Sequence, residues 1–329
     1  MMKTAFKDIE IVSRLGADER TLAFDALDGL TRPFKEIPPK HFYDTEGSRL
    51  FEQIMGLPEY YPTRTERSIL EANAAALVEE TRAAELVELG SGVPTKTLLL
   101  LDAMRDAGTL DRYVPFDVSE VVLCESAKLL VERYPGIRVY GVVGDFERHL
   151  DRVPRNGDRR LIAFLGGTIG NFDAGERRSM LRKVRTQLRS EDRLLVGTDL
   201  VKDRERLEAA YNDSAGITAA FNRNVLNVIN SNLEADFEPE RFHHRAVYDD
   251  EHHWIEMRLH AGEAHTAAIR GLDMEVSFAD GEYIRTEISC KFTEDSLERE
   301  YAGAGLELLD VYTDPERLFA LSLAGPCDG

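Results

Sequence analysis

The most regular feature of the chain is an alternation of apolar runs and amphipathic stretches between residues 85 and 200. Short apolar runs, typical of buried strands, occupy residues 85–89, 112–118, 137–146, 161–167 and 193–200. Three stretches between them, 95–108, 119–134 and 173–188, have the apolar spacing of helices. Because strands that alternate with helices pair in parallel, the pattern predicts an α/β fold with five strands in a doubly wound, mostly parallel sheet.

The C-terminal pattern predicts how this sheet is completed. A strand at 287–292 and a helix at 293–305 precede two further strands, at 306–314 and 318–325. The last two strands are adjacent in sequence, so we expect them to form a hairpin at one edge of the sheet.

Residues 201–283 are not needed by this sheet. The stretch 205–233 is helical in period, and 242–248 and 254–260 alternate apolar and polar residues around a D-D-E turn, which is typical of a β-hairpin. We therefore predict a core domain of residues 65–200 and 290–329. A second, inserted α+β lobe would consist of residues 1–64 and 201–289.

Charge limits the class of partner. The 329 residues include 60 acidic and 41 basic side chains, a formal net charge of −19. Such a chain is repelled by nucleic acid and by anionic membranes. We therefore expect a small-molecule substrate and neither a nucleic-acid nor a membrane partner.

Targeting and redox features favour a cytoplasmic protein. The first twenty residues interleave charged and apolar positions, without the continuous apolar core of a secretory signal. No apolar run approaches the roughly 20 residues of a membrane span. The three cysteines, Cys124, Cys290 and Cys327, are an odd and widely spaced set, which suits a reducing compartment. We expect the protein to act as a monomer.

The stretch ELVELGSGVPTKT, residues 85–97, predicts a strand, a glycine turn and a helix start at Pro94. A dinucleotide fingerprint G-x-G-x-x-G would place a third glycine where Thr95 stands, and the same threonine replaces the second glycine of a phosphate-binding loop, G-x-x-x-x-G-K-[ST]. The turn Gly90-Ser91-Gly92 therefore favours a nucleoside ligand without phosphates.

Residues just after the other strands point to the same ligand, because ligands bind at the carboxyl ends of such strands. Asp117, after the second strand, is placed to accept hydrogen bonds from both ribose hydroxyls of an adenosine. Asp145 and Phe146, after the third, offer an acceptor for an exocyclic amine and a face for a base. Together these positions favour an adenosine-containing ligand, and S-adenosylmethionine fits that description.

Several longer stretches resemble one protein family. HFYDTEGSRLFEQI, LPEYYPTRTE, FLGGTIGNF, GTDLVKD, TAAFNRNVLNVIN and TEISCKF are similar to the histidine-specific Nα-methyltransferases of ergothioneine biosynthesis, over about residues 32–325. The resemblance implies a Rossmann-like class I methyltransferase core with an inserted substrate lobe. It also implies S-adenosylmethionine as donor and trimethylation of the α-amino group of L-histidine to hercynine.

The resemblance also assigns residues to the two reactants. The resemblance and the glycine turn together indicate the residues that would bind the donor, namely Gly90, Ser91, Gly92, Lys96, Asp117, Asp145 and Phe146. It places the substrate carboxylate between Asn171 and Tyr211, with Gly166 and Thr168 near the amino group. Aromatic side chains would wall the pocket, namely Tyr43, Phe51 and Tyr60.

The imidazole would be recognised by Met257, Glu287 and Ser289. The resemblance implies that Met257 packs against the ring while Glu287 and Ser289 bond its nitrogens. The two-residue period of a strand puts Glu287 and Ser289 on one face, as a joint contact requires. Tyr43 and Asn171 would lie nearest the chemistry, with Tyr43 the nearest hydroxyl and no dedicated base assigned.

Three other interpretations remain open at this stage. Relatives that methylate tryptophan or tyrosine share the same lobes, and Glu287 and Met257 argue against them. A second alternative is a binding module without catalytic activity, which a turnover assay would exclude. The pairs at 243–244 and 252–253 could suggest a histidine metal site, but adjacent strand residues point to opposite faces and metal-ligand spacing is lacking, so we expect an exposed hairpin and no metal.

Overall fold

The computed structural model describes residues 8–13, 21–155 and 157–327, except for the side chain of Glu147. The chain forms two compact units. The first contains the described residues within Met1–Ala17, Arg64–Leu200 and Phe292–Gly329, and the second contains those within Asp18–Thr63 and Val201–Lys291. In the described ranges, no helix has both the length and the apolar character that crossing a membrane would require.

The strands and helices are numbered in chain order. The strands are β1 (Ile9–Ser13), β2 (Lys35–Glu36), β3 (Glu85–Leu89), β4 (Arg112–Asp117), β5 (Arg138–Val143), β6 (Arg160–Phe164), β7 (Arg193–Asp199), β8 (Phe242–Asp249), β9 (Trp254–Ala261), β10 (His265–Ile269), β11 (Met274–Phe278), β12 (Tyr283–Cys290), β13 (Leu306–Thr313) and β14 (Phe319–Pro326). The helices are α1 (Leu22–Leu30), α2 (Thr45–Met55), α3 (Pro62–Thr81), α4 (Thr97–Asp106), α5 (Glu120–Arg133), α6 (Phe146–His149), α7 (Ala174–Gln187), α8 (Arg204–Tyr211), α9 (Ile217–Leu233) and α10 (Glu294–Gly303).

The first unit is built on an eight-stranded sheet with the order β1-β5-β4-β3-β6-β7-β14-β13. The strands from β1 to β7 in this order are parallel, while β14 runs antiparallel to β7 and β13 antiparallel to β14. The chain winds from β3 toward β5 on one side and from β6 toward β7 on the other, so the order reverses between β3 and β6. This confirms the predicted doubly wound α/β fold and its closing hairpin.

Continuous apolar runs explain why these strands are central. All five residues of β3 and of β6 are buried, as expected for parallel strands whose two faces are both covered. Leu100, Leu101 and Met104 of α4 are fully buried in the same core as Leu86 of β3. The amphipathic period of α4 therefore holds it against the sheet, although the helix begins at Thr97 and not at Pro94 as predicted.

The N-terminal segment corrects the predicted domain boundary. The sequence pattern predicts residues 1–64 in the substrate lobe, but β1 pairs with β5 from Ile9↔Val139 to Ser13↔Val143 at the edge of the first unit's sheet. Ile9 joins the core of that unit. A five-residue strand carries little local signal, and its pairing with β5 is about 130 residues distant, so the sequence pattern did not indicate it.

The second unit contains a four-stranded sheet of order β2-β12-β9-β8 and the separate hairpin β10–β11. The predicted hairpin is β8–β9, which is antiparallel from Phe242↔Ala261 to Asp249↔Trp254. The sequence predicts a strand at 287–292 as part of the first unit's sheet. In the structure most of this stretch belongs to β12, which pairs with β9 and β2 in the second sheet. Only Phe292 lies in the first unit, where it forms an isolated bridge with Leu200.

The stretch predicted as one helical segment, residues 205–233, contains two helices, α8 and α9. Gly216 has a φ of +73°, which breaks the helical path. The carboxylate of Asp213 accepts hydrogen bonds from the backbone N–H groups of Ile217, at 2.8 Å, and Thr218, at 2.7 Å. Asp213 therefore supplies the acceptor for the free N–H groups at the start of α9.

A buried carboxyl group in β3 makes the stability of the first unit depend on pH. Glu88 accepts hydrogen bonds from Thr97 Oγ1, at 2.6 Å, and from the Tyr113 hydroxyl. Burial raises the pKa of Glu88 to about 7, against the lowering effect of these two hydrogen bonds. Between about 4.5 and 7 the folded protein therefore holds a proton here that the unfolded chain has lost, so stability falls as pH rises through this window.

We expect Glu88→Gln to gain stability relative to the parent protein as pH rises from 5 to 8. Because the amide cannot ionise, only the parent protein loses unfolding free energy as pH rises. The loss is about 1.4 kcal/mol for each unit by which the pKa of Glu88 in the folded protein exceeds that in the unfolded chain. Denaturant unfolding of both proteins across this range measures the difference. The exposed Glu79→Gln is the control, and an equal pH response of Glu88→Gln and the parent would contradict the assignment.

Candidate functional site

The glycine turn after β3 has the backbone that its sequence requires. Gly90 has a φ of +68° and Gly92 a φ of +47°, both in the left-handed region that favours glycine. The N–H groups of Gly90 and Ser91 donate to the carbonyl of Phe116 in β4, at 2.8 and 3.1 Å. The turn is therefore held at the carboxyl ends of two neighbouring strands.

Asp117 ends β4 and joins the same turn. Its Oδ2 accepts a hydrogen bond from the N–H of Gly92 at 2.9 Å, and its Oδ1 accepts one from the N–H of Ser119 at 2.9 Å. An ionised carboxylate has about four acceptor positions, so each oxygen retains capacity for a further donor. Asp117 therefore orders the turn and can still receive hydrogen bonds from a ligand.

Phe146 follows β5 and lies beside the turn. Its ring is part of a cluster with Phe116, Phe164 and Phe172, with centroid distances of 6.4, 5.3 and 6.4 Å. A Cβ atom at Gly90 would lie 3.8 Å from Phe146 Cε1. The carbonyl of Asp145 accepts from the backbone N–H groups at 148 and 149, which fixes the backbone that carries both predicted residues.

These features fit an adenosine-bearing ligand. The Ser91 hydroxyl is buried and has no hydrogen-bond partner among the described residues, so a polar group is available in the turn itself. Gly90 and Gly92 carry no side chains on either side of Ser91, and Asp117 and Phe146 add an acceptor and an aromatic face. Such a set can bind a ribose and a base without any phosphate-binding residue.

The second turn at this edge follows β6. Gly166 and Gly167 have φ values of +80° and +71°, and the short 3-10 helix Thr168–Asn171 comes next. The Thr168 hydroxyl donates to the carbonyl of Leu165 at 3.2 Å. Because the strand order reverses between β3 and β6, this turn and the Gly90 turn flank the position where ligands bind in such sheets.

A carboxylate that the sequence interpretation did not single out supports this second turn. Glu66 of α3 is fully buried and accepts from the N–H of Gly166, at 2.8 and 3.0 Å to its two oxygens. It also forms an ion pair with Lys96 at the start of α4. Gly197 of β7 leaves room for it, since a Cβ atom there would collide with Glu66. Glu66 thus connects the predicted donor residue Lys96 with the predicted substrate residue Gly166.

In the second unit, the predicted aromatic residues form one connected series. The ring centroids of Tyr43 and Phe51 are 5.6 Å apart, those of Phe51 and Tyr60 are 6.3 Å apart, and those of Tyr60 and Tyr211 are 6.2 Å apart, all edge-to-face. The ring centroid of Phe221 of α9, a residue that the sequence did not indicate, is 5.9 Å from those of both Tyr43 and Phe51. Tyr43 is 43% exposed, whereas Tyr60 and Tyr211 are buried.

The three residues predicted to recognise the imidazole share one face of the second sheet. Glu287 of β12 lies directly opposite Met257 of β9 in the antiparallel register, and opposed residues project to the same side. Ser289 is two residues further along β12 and so lies on that side as well. Burial raises the pKa of Glu287 to about 7, while the positive charge of Lys291 lowers it.

Ser289 is part of a polar triangle that the sequence interpretation missed. Its hydroxyl lies 2.8 Å from the hydroxyl of Tyr211. Lys291, which is 4% exposed, donates from Nζ to Ser289 Oγ at 2.8 Å and to Tyr211 Oη at 3.1 Å. Lys291 follows Glu287 and Ser289 at intervals of two residues, the spacing of one strand face, and this spacing was the signal available in the sequence.

The paired histidines take part in local contacts of the β8–β9 hairpin. His252 lies 3.0 Å from Asp249 and stacks on Trp254, and His253 lies 3.0 Å from the Tyr248 hydroxyl. His244 bonds to Asn222 and to the carbonyl of Tyr211. Within the described parts of the chain, no three His, Cys, Asp or Glu side chains group as metal ligands.

Comparison with known families identifies the chain. A family model described as histidine-specific methyltransferase, SAM-dependent, matches residues 22–326. The chain belongs to this family. The resemblance noted in the sequence is thereby confirmed, and with it the assignment to S-adenosylmethionine-dependent methyltransferases.

Known proteins similar to this chain include a histidine methyltransferase, a protein of ergothioneine biosynthesis and a tryptophan methyltransferase. Histidine N-alpha-methyltransferase of Mycolicibacterium smegmatis is 48% identical over 318 residues, covering 96% of this chain and 99% of the relative. Ergothioneine biosynthesis protein 1 of Schizosaccharomyces pombe is 32% identical over 66% of this chain and 29% of its own length. L-tryptophan methyltransferase of Psilocybe serbica is 27% identical over 90% of each chain.

The predicted site residues of this family member fall into two sets. The first unit carries all the donor residues and the substrate residues Gly166, Thr168 and Asn171. The second unit carries the remaining substrate residues, which are Tyr43, Phe51, Tyr60, Tyr211, Met257, Glu287 and Ser289. Within each unit, folding brings residues that are far apart in sequence into contact.

Proposed function

We propose that the protein trimethylates the α-amino group of L-histidine to hercynine, the first step of ergothioneine biosynthesis. The observation that carries this proposal is the face formed by Met257, Glu287 and Ser289, which combines an apolar surface, a carboxylate and a hydroxyl. An imidazole ring has an apolar plane and two polar nitrogens, and it matches these three groups. Membership of the histidine-specific family supports the same substrate.

For the donor, we propose binding at the turns of the first unit. Asp117 would accept from both ribose hydroxyls, Asp145 from the exocyclic amine, and Phe146 would contact the base. The glycine turn 90–92 would let the ligand approach the backbone closely, and Lys96 would contribute a positive charge. S-adenosylmethionine supplies an electrophilic methyl group on its sulfonium.

We expect Asp117→Ala to weaken binding of S-adenosylhomocysteine tenfold or more. Hydrogen bonds to a charged acceptor contribute roughly 1.5 to 3 kcal/mol, and the alanine removes two of them. Isothermal calorimetry measures the change. Asp111→Ala, just before the opposite end of β4, serves as the control, and unchanged affinity in Asp117→Ala would remove this residue from the donor site.

For the amino acid, we propose that Asn171 and Tyr211 bind the carboxylate. Gly166 and Thr168 would lie near the amino group. Aromatic side chains would shield the reacting groups from water, namely Tyr43, Phe51 and Tyr60. The contribution of these residues to catalysis is to hold the neutral amine in line with the methyl group and to exclude water.

Each transfer forms a nitrogen–carbon bond while the carbon–sulfur bond breaks, and the amine proton must leave between rounds. Tyr43 carries the hydroxyl that we place nearest to the amine, and its 43% exposure leaves it accessible to solvent as a path for that proton. We assign no dedicated base. In this proposal Asn171 positions the substrate through its carboxylate, and Tyr43 assists removal of the amine proton.

Mass spectrometry of products from a panel of amino acids with S-adenosylmethionine tests the function. We expect histidine to be converted to the species with three added methyl groups, ahead of tryptophan and tyrosine. Preferred turnover of either of those would assign the protein to the other substrate class. Binding of histidine without any turnover would instead indicate a binding module.

A further inference from the structure

An extra residue in β12 precedes the residues proposed to recognise the imidazole. The antiparallel register of β12 and β9 passes from Arg285↔Arg258 to Glu287↔Met257, which is two residues along β12 but only one along β9. Thr286 is therefore the additional residue of a β-bulge. A bulge redirects the side chains that follow it, so its position decides which face of the sheet they share.

The bulge places Glu287 on the side of the sheet that carries Met257. Arg258 and Met257 are neighbours in β9 and point to opposite faces, so Glu287, opposite Met257, projects away from the face of Arg258. That other face carries the ion pairs of Glu256 with Arg258 and Arg285. Without the bulge, the rest of β12 would slip by one residue and Glu287 would lie opposite Glu256, one carboxylate facing another. The proposed imidazole acceptor therefore depends on this irregularity.

Asn222 of α9 makes hydrogen bonds at the bulge. Asn222 is 0% exposed and Thr286 is 1% exposed. The Thr286 hydroxyl lies 2.6 Å from Asn222 Oδ1 and 3.0 Å from the carbonyl oxygen of Met257, and Asn222 Nδ2 donates to the carbonyl of Arg258 at 3.3 Å. Because a bulge interrupts the ladder of backbone hydrogen bonds, these side chains supply contacts to the β9 carbonyls where the ladder is interrupted.

The same amide is connected to a second proposed substrate residue through His244. The Nε2 atom of His244 lies 2.8 Å from the carbonyl oxygen of Tyr211, so this nitrogen carries a proton. Asn222 Nδ2 lies 2.8 Å from Nδ1 of the same ring, which is the acceptor in the neutral tautomer. Burial lowers the pKa of His244 and so favours this neutral form. One buried amide thus connects the bulge with the backbone of Tyr211.

We propose that Asn222 and Thr286 are positioning residues for substrate selection, which hold the bulge so that Glu287 faces the same side as Met257. This inference rests on the proposed function, because it concerns how the same imidazole is recognised. If the hydrogen bonds served stability alone, their loss would reduce activity whether or not Glu287 is present. In a positioning role, their loss acts through the Glu287 carboxylate.

A double-mutant cycle of Thr286→Val with Glu287→Ala tests the proposal. Valine keeps the branched shape and removes the hydroxyl, so we expect kcat/KM for histidine to fall roughly fivefold or more when Glu287 is present. When residue 287 is already alanine, the same substitution should lower kcat/KM less than about twofold, because the hydroxyl acts through that carboxylate. Thr286→Ser restores the hydroxyl and should keep most of the parent's activity.

Two controls separate this role from a general loss of structure. Thr266→Val removes a hydroxyl from β10 of the same unit, where Thr266 Oγ1 lies 3.0 Å from Ser277 Oγ, and it should leave kcat/KM for histidine unchanged. The affinity of Thr286→Val for S-adenosylhomocysteine, measured by calorimetry, should stay within about twofold of the parent's, because the proposed donor residues belong to the first unit.

Equal losses of kcat/KM with and without the Glu287 carboxylate, or a Thr286→Ser variant as impaired as Thr286→Val, would overturn the proposal while leaving the proposed function intact. If Thr286→Val does not fold, Asn222→Ser must show the same dependence on Glu287. Failure of the parent protein to convert histidine would overturn the proposed function itself, together with this inference.

Discussion

We expect Glu287→Ala to lower kcat/KM for histidine roughly 5- to 150-fold while sparing, or improving, the reaction with tryptophan. The proposed carboxylate accepts an imidazole N–H, and a buried donor left without its acceptor costs about 1 to 3 kcal/mol. Tryptophan gains from the added apolar space beside Met257, which lies directly opposite. Competition kinetics with both amino acids measure the ratio of the two kcat/KM values.

Two further variants make this result specific. Glu287→Gln keeps the size of the side chain and separates loss of charge from loss of volume. Glu275→Ala removes an exposed carboxylate from β11 of the same unit and should leave both substrates unaffected. A uniform decrease for histidine and tryptophan in Glu287→Ala would show that this residue supports the fold and does not read the imidazole.

Removal of the substrate carboxylate is the second change with a large expected effect. We expect histamine and histidinamide to be poor substrates, because Asn171 and Tyr211 are proposed to hold the carboxylate that keeps the amine in line with the methyl group. The same anchor persists whatever the amine already carries, so one pose can serve three rounds. The main final product should therefore be the trimethylated betaine.

Tyr211→Phe tests the anchor from the protein side. Its KM for histidine should rise, and the partly methylated intermediates should be affected as strongly as histidine, because methylation removes N–H donors but leaves the carboxylate unchanged. Tyr248→Phe removes another buried tyrosine hydroxyl in the same unit and is the matched control. Efficient methylation of histamine, or a reaction that stops at one methyl group with excess donor, would refute this model.

The fold of the first unit was predictable because its signals are local. Fully buried parallel strands require continuous apolar runs, and their helices require an apolar stripe, so β3 to β7 and the three longer helices α4, α5 and α7 can be located from residue type alone. The four-residue helix α6 was not predicted. The edge strand β1 was missed for the opposite reason. It has five residues, and only pairing with β5 gives it a place in the sheet.

The candidate site was predictable in part. Turn glycines and carboxylates after strands follow from the rule that ligands bind at the carboxyl ends of such strands, which indicated Gly90, Asp117 and Asp145. The amino-acid residues were chosen by resemblance, and their roles remain predictions. Glu66 and Lys291 were not predicted, because the sequence around a charged residue does not indicate which distant residue it will contact.

By itself, the sequence determined the fold class and, through resemblance, the methyltransferase family, and it predicted an adenosine-type ligand, because these depend on local periodicity and short motifs. Only the tertiary structure decided which buried charges contact the predicted site residues. Glu66 meets Gly166 across 100 positions, and Lys291 meets Tyr211 across 80. Such pairs form when packing brings distant segments together and when burial requires each polar group to find a partner, and no short-range pattern specifies either condition.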